Sequence, residues 1–507
     1  MPDFFPKKTK TICPKCLAEG KSDFTEGKVF EDSGKVWLES DCKKHGRTKE
    51  MLWPDVDFYM RCMMYNTDGD TPETLQTDKV DCPNSCGLCP AHISQTVLAN
   101  IDITNRCNLS CWYCFAHAGR SGRVFEPSIC EIEKMLDILR AQRPVPCHAV
   151  QFSGGEPTVR KDLPDIIRLA RKKGFVQVQI ASNGINLAKD TGLAFTLRSA
   201  GLSIVYLKFN GTTKKTNTEN LAYIDKILEN CSNGGLSIVL VPTVIKGFND
   251  REVPKIIKFA AKNAGAIRGV NFQPVAFVGN IGSMKDDERK RQRYTIPDLM
   301  KDISKTGSID KNDFYPIPSV LPLSKFVAKI KKRHQVEMTP HPACGVATYV
   351  FIENGSIIPI TRFMNISGFL KFVRDSTKII GAPLWQLRLY LSLRSVNRFI
   401  DRRKAPKGFD LRKIITDIMM KGTYEALEAF HYRSLFIGAM HFQDAWNMDY
   451  ERLRRCVIHY VTPDCKIIPF CAYNCLPKYR AGIERKYSVA VGEWKRRNKG
   501  KAIGDVV

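Results

Sequence analysis

The stretch Thr104–Phe115, TNRCNLSCWYCF, places Cys107, Cys111 and Cys114 in the spacing Cys-x3-Cys-x2-Cys, and nothing else in the 507 residues restricts the fold as much. Three thiolates this close can share one iron–sulfur cluster. A four-iron cubane takes four ligands, so one iron is left open to bind another molecule. A zinc knuckle would favour two ligand pairs spaced Cys-x2-Cys, and a disulfide would need an oxidising compartment, of which the sequence gives no other sign. The flanks supply context. Gln95–Thr104 reads as an apolar strand ending at the cysteine loop, and Ala149–Gly154 as a second strand running into Gly154, Gly155, Glu156 and Pro157.

From Gln95 to about Val278 strand and helix alternate with the length of a βα unit. The expected strands are Gln95–Thr104, Ala149–Gly154, Val176–Asn183, Ser203–Asn210, Ser237–Val244 and Gly269–Ala276, separated by five helical stretches such as Pro127–Gln142, with Ile129, Ile132, Leu136 and Leu139 on one face. Six parallel strands predict an α/β partial barrel with its chemistry at the carboxyl ends of the strands. There the sequence places Gly154 and Gly155, whose missing side chains let backbone approach a ligand, and Glu156, a carboxylate suited to an ammonium group. The following strand ends carry Ser182 and Asn183, Lys208 and Asn210, Thr243, and Gln273. Cys130, Cys147 and Cys231 occur singly and are assigned to packing.

The remaining cysteines are grouped. Cys13-x2-Cys16 and Cys42-x2-His45, on loops on either side of a strand pair, predict a tetrahedral knuckle for zinc or a single iron, with Cys62 packing inside a helix. Cys82, Cys86 and Cys89 lie on a Pro- and Gly-rich loop, an expected auxiliary cluster or structural zinc site. Residues 279–341 read as a charged, then Pro-rich, linker. Beyond it Cys344 opens one hairpin, and Cys456, Cys465, Cys471 and Cys475 belong to a second of similar pattern. Between them Phe369–Tyr432 reads as a helical, basic insert, in which Leu389, Leu393, Val396 and Ile400 line one face of a helix and Arg394, Arg398 and Arg402 the other. The resulting division is 1–60 knuckle, 61–94 auxiliary loop, 95–300 barrel, 301–343 linker, 344–440 insert with first hairpin, and 441–507 C-terminal cluster region.

The formal net charge of +26 predicts an anionic partner: nucleic acid, an anionic lipid surface or a phosphorylated substrate. The basic residues are not interleaved with aromatics as base-stacking platforms require, which argues against nucleic acid. The amino terminus has no apolar signal segment and no uncharged apolar run is long enough to span a bilayer, so the expected location is cytoplasmic, peripheral at the membrane inner face.

The cysteine spacing, with Tyr113 before the last cysteine and Gly154-Gly155-Glu156 after the next strand, resembles the radical S-adenosylmethionine enzymes. That resemblance implies reductive cleavage of S-adenosylmethionine on the open iron, with Tyr113 and the strand-end residues beside the cofactor. Over the whole chain, the knuckle, Cys82-x3-Cys86-x2-Cys89, His341-Pro-x-Cys344, Gly438-Ala-Met-His441 and Cys456-x2-His459 resemble a group of archaeal members that includes tetraether lipid synthases. The group implies three 4Fe-4S clusters, one mononuclear Fe or Zn, an anionic ether lipid as substrate and a ferredoxin-like electron donor. Cys344, Cys456, Cys471 and Cys475 would then be auxiliary ligands, and the insert with Arg394, Arg398 and Arg402 the lipid clamp. The expected reaction is carbon–carbon coupling of isoprenoid chains. The alternatives are a methylase of a pterin cofactor, a peptide-modifying maturase, or a non-catalytic metal protein that binds nucleic acid. Two positions depart from the pattern: Cys465 stands where a turn glycine is expected, and Asn210 where an acidic residue is commoner.

Overall fold

The computed structural model describes residues 4–118, 122–421 and 434–498. At the amino terminus β1 (Lys7–Ile12), β2 (Phe24–Asp32), β3 (Lys35–Cys42) and β4 (Gly46–Trp53) form an antiparallel ribbon in chain order. Ser33 and Gly34, both at positive φ, make the two-residue turn between β2 and β3, the geometry that matches strand twist. The next helix, Val56–Met63, starts where Asp55 accepts a bond from the Phe58 backbone N–H at 2.9 Å. It buries Phe58, Tyr59, Cys62 and Met63, and burial pushes the Cys62 thiol up to about 12, so Cys62 packs as a small apolar side chain.

The barrel strands are β5 (Leu98–Thr104), β7 (Ala149–Gly154), β8 (Gln177–Ser182), β9 (Ile204–Lys208), β10 (Ser237–Val241) and β12 (Ile267–Pro274), neighbours in that order and all parallel. A short β6 (Arg123–Phe125) follows the cysteine loop, and β11 (Thr243–Val244) runs beside the end of β12. Alternate side chains on each strand face the helices: Ile101, Ile103, Val150, Phe152, Val178, Ile180, Val205 and Leu207 are fully buried in one apolar cluster. The helix Ile129–Arg140 meets them with Ile132, Met135, Leu136 and Leu139. A reciprocal Ser128–Glu131 capping box fixes its start, which leaves Ile129 on the exposed side.

The sheet continues past both ends of the six strands. Beside β12 lies β16 (Leu435–Met440), parallel to it. Antiparallel to β16 is β14 (Gly345–Glu353), which also pairs with β13 (Tyr315–Pro316) and β15 (Ser356–Pro359). Beside β5 lies β17 (Ile458–Val461), parallel to it, and then antiparallel β18 (Ile467–Pro469). The two cysteine hairpins are therefore edge extensions of the barrel sheet. A last strand, β19 (Ser488–Ala490), pairs with β6.

Two expectations are corrected. Residues 279–341 are not a linker: they form the helices Asp286–Gln292, Ile296–Ser304 and Leu321–Lys331, and Ile296, Leu299, Met300 and Ile303 join the main core. Within the charge run, Arg289 and Arg293 fall on one side and are buried. Arg289 donates to Glu50 of β4 at 2.7 and 2.9 Å, and Arg293 to Glu50 at 3.0 Å and to Asp444 at 2.6 and 3.0 Å, tying ribbon, barrel and carboxyl-terminal region together. Second, Arg394, Arg398 and Arg402 do not share a helix. The helix Trp385–Arg394 ends at Ser395, and a 3-10 turn, Val396–Phe399, buries Val396. Arg398 then lies over Phe399 and Phe372, at 4.9 and 5.5 Å. The insert packs Phe369, Val373, Leu389, Leu411 and Ile415 with Phe326 and Phe351 into its own small core, and its end, residues 422–432, lies outside the described residues. Among the described residues no helix is long and apolar enough to cross a membrane.

Candidate active site and metal centres

The cysteine loop leaves the end of β5 and is gripped from two sides. The Gly155 N–H donates to the Thr104 carbonyl at 2.7 Å and the Glu156 N–H to the Arg106 carbonyl at 2.8 Å. A Cβ on Gly154 (φ +118) or Gly155 would lie 2.1 Å from those same two oxygens, so the glycines are needed for contact with the cysteine loop. On the far side Asn280 donates from its backbone to the Cys114 carbonyl and from its side chain to the Cys111 carbonyl, both at 2.9 Å, and Gly279 sits at φ +64 against Cys114. Gly279 and Asn280 escaped the sequence reading because they lie in the stretch taken for a linker.

Cys107, Cys111 and Cys114 are half-buried and close enough for each charge to oppose the others; burial, then Glu156, pushes Cys107 up to about 12. A site that disfavours bare thiolates but brings three together suits a multivalent iron centre, whose charge reverses that preference. Lys208 Nζ stands 2.8 Å from Cys111 Sγ and 3.3 Å from Glu219. Its burial opposes the charge, but Tyr113, Cys111 and Glu219 outweigh that and hold the ammonium well above its ordinary pKa. The Tyr113 hydroxyl donates to Glu219 at 2.7 Å and meets the Asn210 side chain, whose Oδ1 accepts from the Thr243 N–H at 2.9 Å. Gln273 lies beside Thr243 in parallel register. Lys208, Asn210 and Thr243 thus converge on Tyr113, and Glu219 is a member of this group that sequence reading missed.

Glu156 joins two strand ends. Only 1% exposed, its carboxylate accepts from Thr158 Oγ1 (2.6 Å), Ser182 Oγ (2.8 Å) and the N–H groups of Asn183 (2.7 Å) and Thr158 (3.2 Å). Three of these bonds fall on Oε1 and one on Oε2, and together they tie the end of β7 to that of β8. Asn183 extends the tie to the cysteine loop, donating to Asn108 at 2.7 Å.

Below this rim the barrel lumen is polar. Asn100 accepts from Gln151 at 2.7 Å, Gln151 accepts from Gln179 at 2.8 Å, and the Tyr206 phenol bonds to Gln179. One layer nearer the cysteines, Asp102 accepts from Ser153 at 2.9 Å and from Arg480 at 2.7 Å. The signal was present as polar residues at alternate positions of β5, β7 and β8, the inward set of each strand.

Most of the other cysteines gather as three groups. On the loop 82–89, Cys82 and Cys89 touch; burial and then its neighbouring thiols push Cys82 up to about 12, and Tyr479 clamps the loop by accepting from the Cys86 N–H at 2.8 Å. Burial, and then the neighbouring Cys471 and Cys344, push the Cys456 thiol up; burial, and then Cys344, push up that of Cys471; Cys475 lies beside Cys471, and Arg452 donates to Cys344 Sγ at 3.3 Å. Cys465 stands apart, in the β17–β18 turn at φ 59. In the ribbon, ligand atoms of Cys13, Cys16, Cys42 and His45 all lie within 4.8 Å of one another. His45 places Nδ1 among the sulfurs, and its Nε2 meets Glu19 at 3.1 Å, a carboxylate–histidine pair that fixes ring and tautomer for a tetrahedral metal.

Residues 101–260 match the model of the Radical SAM superfamily, and residues 5–54 that of the HMPTM N-terminal zinc ribbon domain. The chain is 44% identical to the 7,8-dihydro-6-hydroxymethylpterin dimethyltransferase of Methanocaldococcus jannaschii, over 97% of this chain and 98% of that protein. It is 31% identical to the GTP 3′,8-cyclase of Thermodesulfovibrio yellowstonii, over 39% of this chain and 64% of that protein. Among solved structures, methylornithine synthase matches with a TM-score of 0.32 at 12% identity, over 42% of this chain and 64% of that one. The expected kinship with tetraether lipid synthases gives way to the M. jannaschii relative, which matches over the whole chain, knuckle and carboxyl-terminal motifs included. With three cysteines at the end of the first barrel strand, a ribbon metal site and this full-length match, the chain is a radical S-adenosylmethionine enzyme and belongs to the same family as the M. jannaschii protein.

Proposed function

We propose that this enzyme methylates carbon atoms of a reduced hydroxymethylpterin. The full-length relative carries the reading, and the lumen agrees with it. Asn100, Gln151, Gln179 and Tyr206 suit a heterocycle rich in N–H and C=O groups. Within the insert, Phe369, Val373, Leu389, Leu411 and Ile415 are spent on its own core. S-adenosylmethionine bound at Cys107, Cys111 and Cys114 supplies a deoxyadenosyl radical able to remove hydrogen from carbon. The protein orients the reactants and excludes water: Glu156 and the two glycines fix the loop, while Lys208 and Tyr113 cover its open side. Cys82, Cys86 and Cys89 hold a second cluster, Cys344, Cys456, Cys471 and Cys475 a third, the ribbon holds zinc, and the electron comes from a ferredoxin-like donor.

Each C–H that becomes C–CH3 gives its hydrogen to 5′-deoxyadenosine and takes its carbon from a separate one-carbon donor, a methylene-bearing reduced pterin cofactor that leaves without its methylene group, with dithionite supplying the electrons. Anaerobically reconstituted enzyme given S-adenosylmethionine, that donor, dithionite and 6-hydroxymethyl-7,8-dihydropterin should convert the pterin to products heavier by one and then two methylene units, and raise 5′-deoxyadenosine output. Mass spectrometry reads the first and chromatography the second. If dialkyl glycerol ethers raise 5′-deoxyadenosine output and the pterin does not, the lipid reading returns.

A further inference from the structure

Arg480 opens the helix Arg480–Tyr487 near the carboxyl terminus, yet its guanidinium is only 7% exposed and sits in the barrel, 378 residues along the chain from its partner Asp102. It lies 4.8 Å from the Tyr473 ring centre, 5.2 Å from that of Tyr460 and 5.9 Å from that of Phe115, the residue after Cys114. Nη1 donates to Asp102 and Nε to Asn474 at 3.0 Å. Among the described residues Nη2 has no hydrogen-bond partner, although it is shut off from the surface. A buried guanidinium donor left open one residue from the radical loop needs a partner that the chain does not provide.

Resting on the pterin reading above, we infer that Arg480, with Asp102 and Ser153, anchors the hydrogen-bonding edge of the substrate heterocycle, Arg480 Nη2 donating to its ring carbonyl and Asp102 accepting from the adjacent ring N–H. The charges select this ligand class. Arg480 is already balanced by Asp102 and has Glu484 at 3.6 Å, so a phosphate would meet an excess of carboxylate, whereas a neutral amide-type edge finds donor and acceptor side by side. Phe115, Tyr460 and Tyr473 pack around the guanidinium, with Tyr460 and Tyr473 stacked on one another at 4.2 Å, and hold it in place beside Asp102. None of these residues formed part of the expected site, because only the fold brings residue 480 to residue 102.

The test is equilibrium binding of 6-hydroxymethyl-7,8-dihydropterin and of its N3-methyl analogue to the reconstituted holoenzyme. Wild type should bind the analogue at least tenfold more weakly, and Arg480→Gln should bind the parent pterin at least tenfold more weakly. Asp102→Asn should narrow the gap between the two ligands, because the N–H removed from the analogue then faces no carboxylate. Ser153→Ala, a milder change, should weaken the parent pterin several-fold and carries the test if Arg480→Gln loses its fold by circular dichroism. Tight pterin binding that is indifferent to these substitutions overturns the anchor and leaves the pterin reading standing. Wild-type enzyme that cleaves S-adenosylmethionine but does not bind the pterin overturns both.

Discussion

Gly155→Ala should disconnect the radical loop from the barrel. The added Cβ would lie 2.1 Å from the Arg106 oxygen, 2.7 Å from its carbonyl carbon and 2.9 Å from the Asn105 carbonyl carbon, where ordinary contact begins at 3.4 Å. All three atoms are backbone, so no rotamer change relieves the clash and the two loops must part by about 1 Å. That stretches the bonds from Gly155 N–H to Thr104 (2.7 Å) and from Glu156 N–H to Arg106 (2.8 Å) beyond useful length. Two lost bonds at about 1 kcal/mol each and overpacking strain of about 1–3 kcal/mol put the local cost near 4 kcal/mol. The cysteines move with Arg106, and a displacement of about 1 Å at a reacting centre costs on the order of a hundredfold in rate. Iron and sulfide should fall by one cluster per chain after reconstitution, the ribbon metal should stay, and 5′-deoxyadenosine formation should drop by at least that hundredfold. Wild-type iron content together with a wild-type rate would refute the reasoning.

Three further outcomes follow from the same geometry. Arg293→Met leaves Asp444 buried without its main partner and should destabilise by about 3–5 kcal/mol, read as a lower midpoint in thermal unfolding; an unchanged midpoint would mean that the Glu50–Arg293–Asp444 bridge holds nothing together. Glu19→Gln, which weakens the support of His45, should loosen the ribbon metal by about 10–100-fold in a chelator competition, with the radical-site iron unaffected. The Glu484 carboxyl is pushed from 4.5 up to about 7 by burial, against the pull of Arg480. The folded chain therefore binds more protons than the unfolded chain between those values, and this group's contribution to stability falls as pH rises through that window. In Glu484→Gln the midpoint should fall less steeply between pH 4.5 and 7 than in wild type; equal slopes would contradict the shift.

What the sequence disclosed was what local chemistry settles. Ala149–Gly154 is a strand with the expected bounds, since an apolar run meeting two glycines has few alternatives, and the ribbon ligands converge because a Cys-x2 step on a tight turn aims both ligands to one side. The first strand begins at Leu98 rather than Gln95, because Val97 N–H is taken by the Val457 carbonyl, a contact no local pattern contains. Arg289 and Arg293 hid in a run of charges that reads as solvated, their carboxylate partners lying 239 and 151 residues away. The arginine stripe failed at Ser395, where burial of Val396 outweighed helical periodicity. The charge pointed to an anionic lipid for a related reason: a net charge of +26 is a sum over the whole chain, while the inward residues of β5, β7 and β8 carry no formal charge except Asp102.

The pairing of β17 with β5 also sets a schedule for the growing chain. The first barrel strand emerges from the ribosome with its cysteine loop attached, but the neighbour on its open edge, Ile458–Val461, is made some 350 residues later, after roughly 20–70 s of synthesis. Until then Cys107, Cys111 and Cys114 lack Arg480, Tyr460 and Tyr473 beneath them, and β5 presents an unpaired edge. Iron delivered to the loop in that interval would enter an open-sided barrel and iron delivered later a closed one, with the final stretch of the chain as the latch.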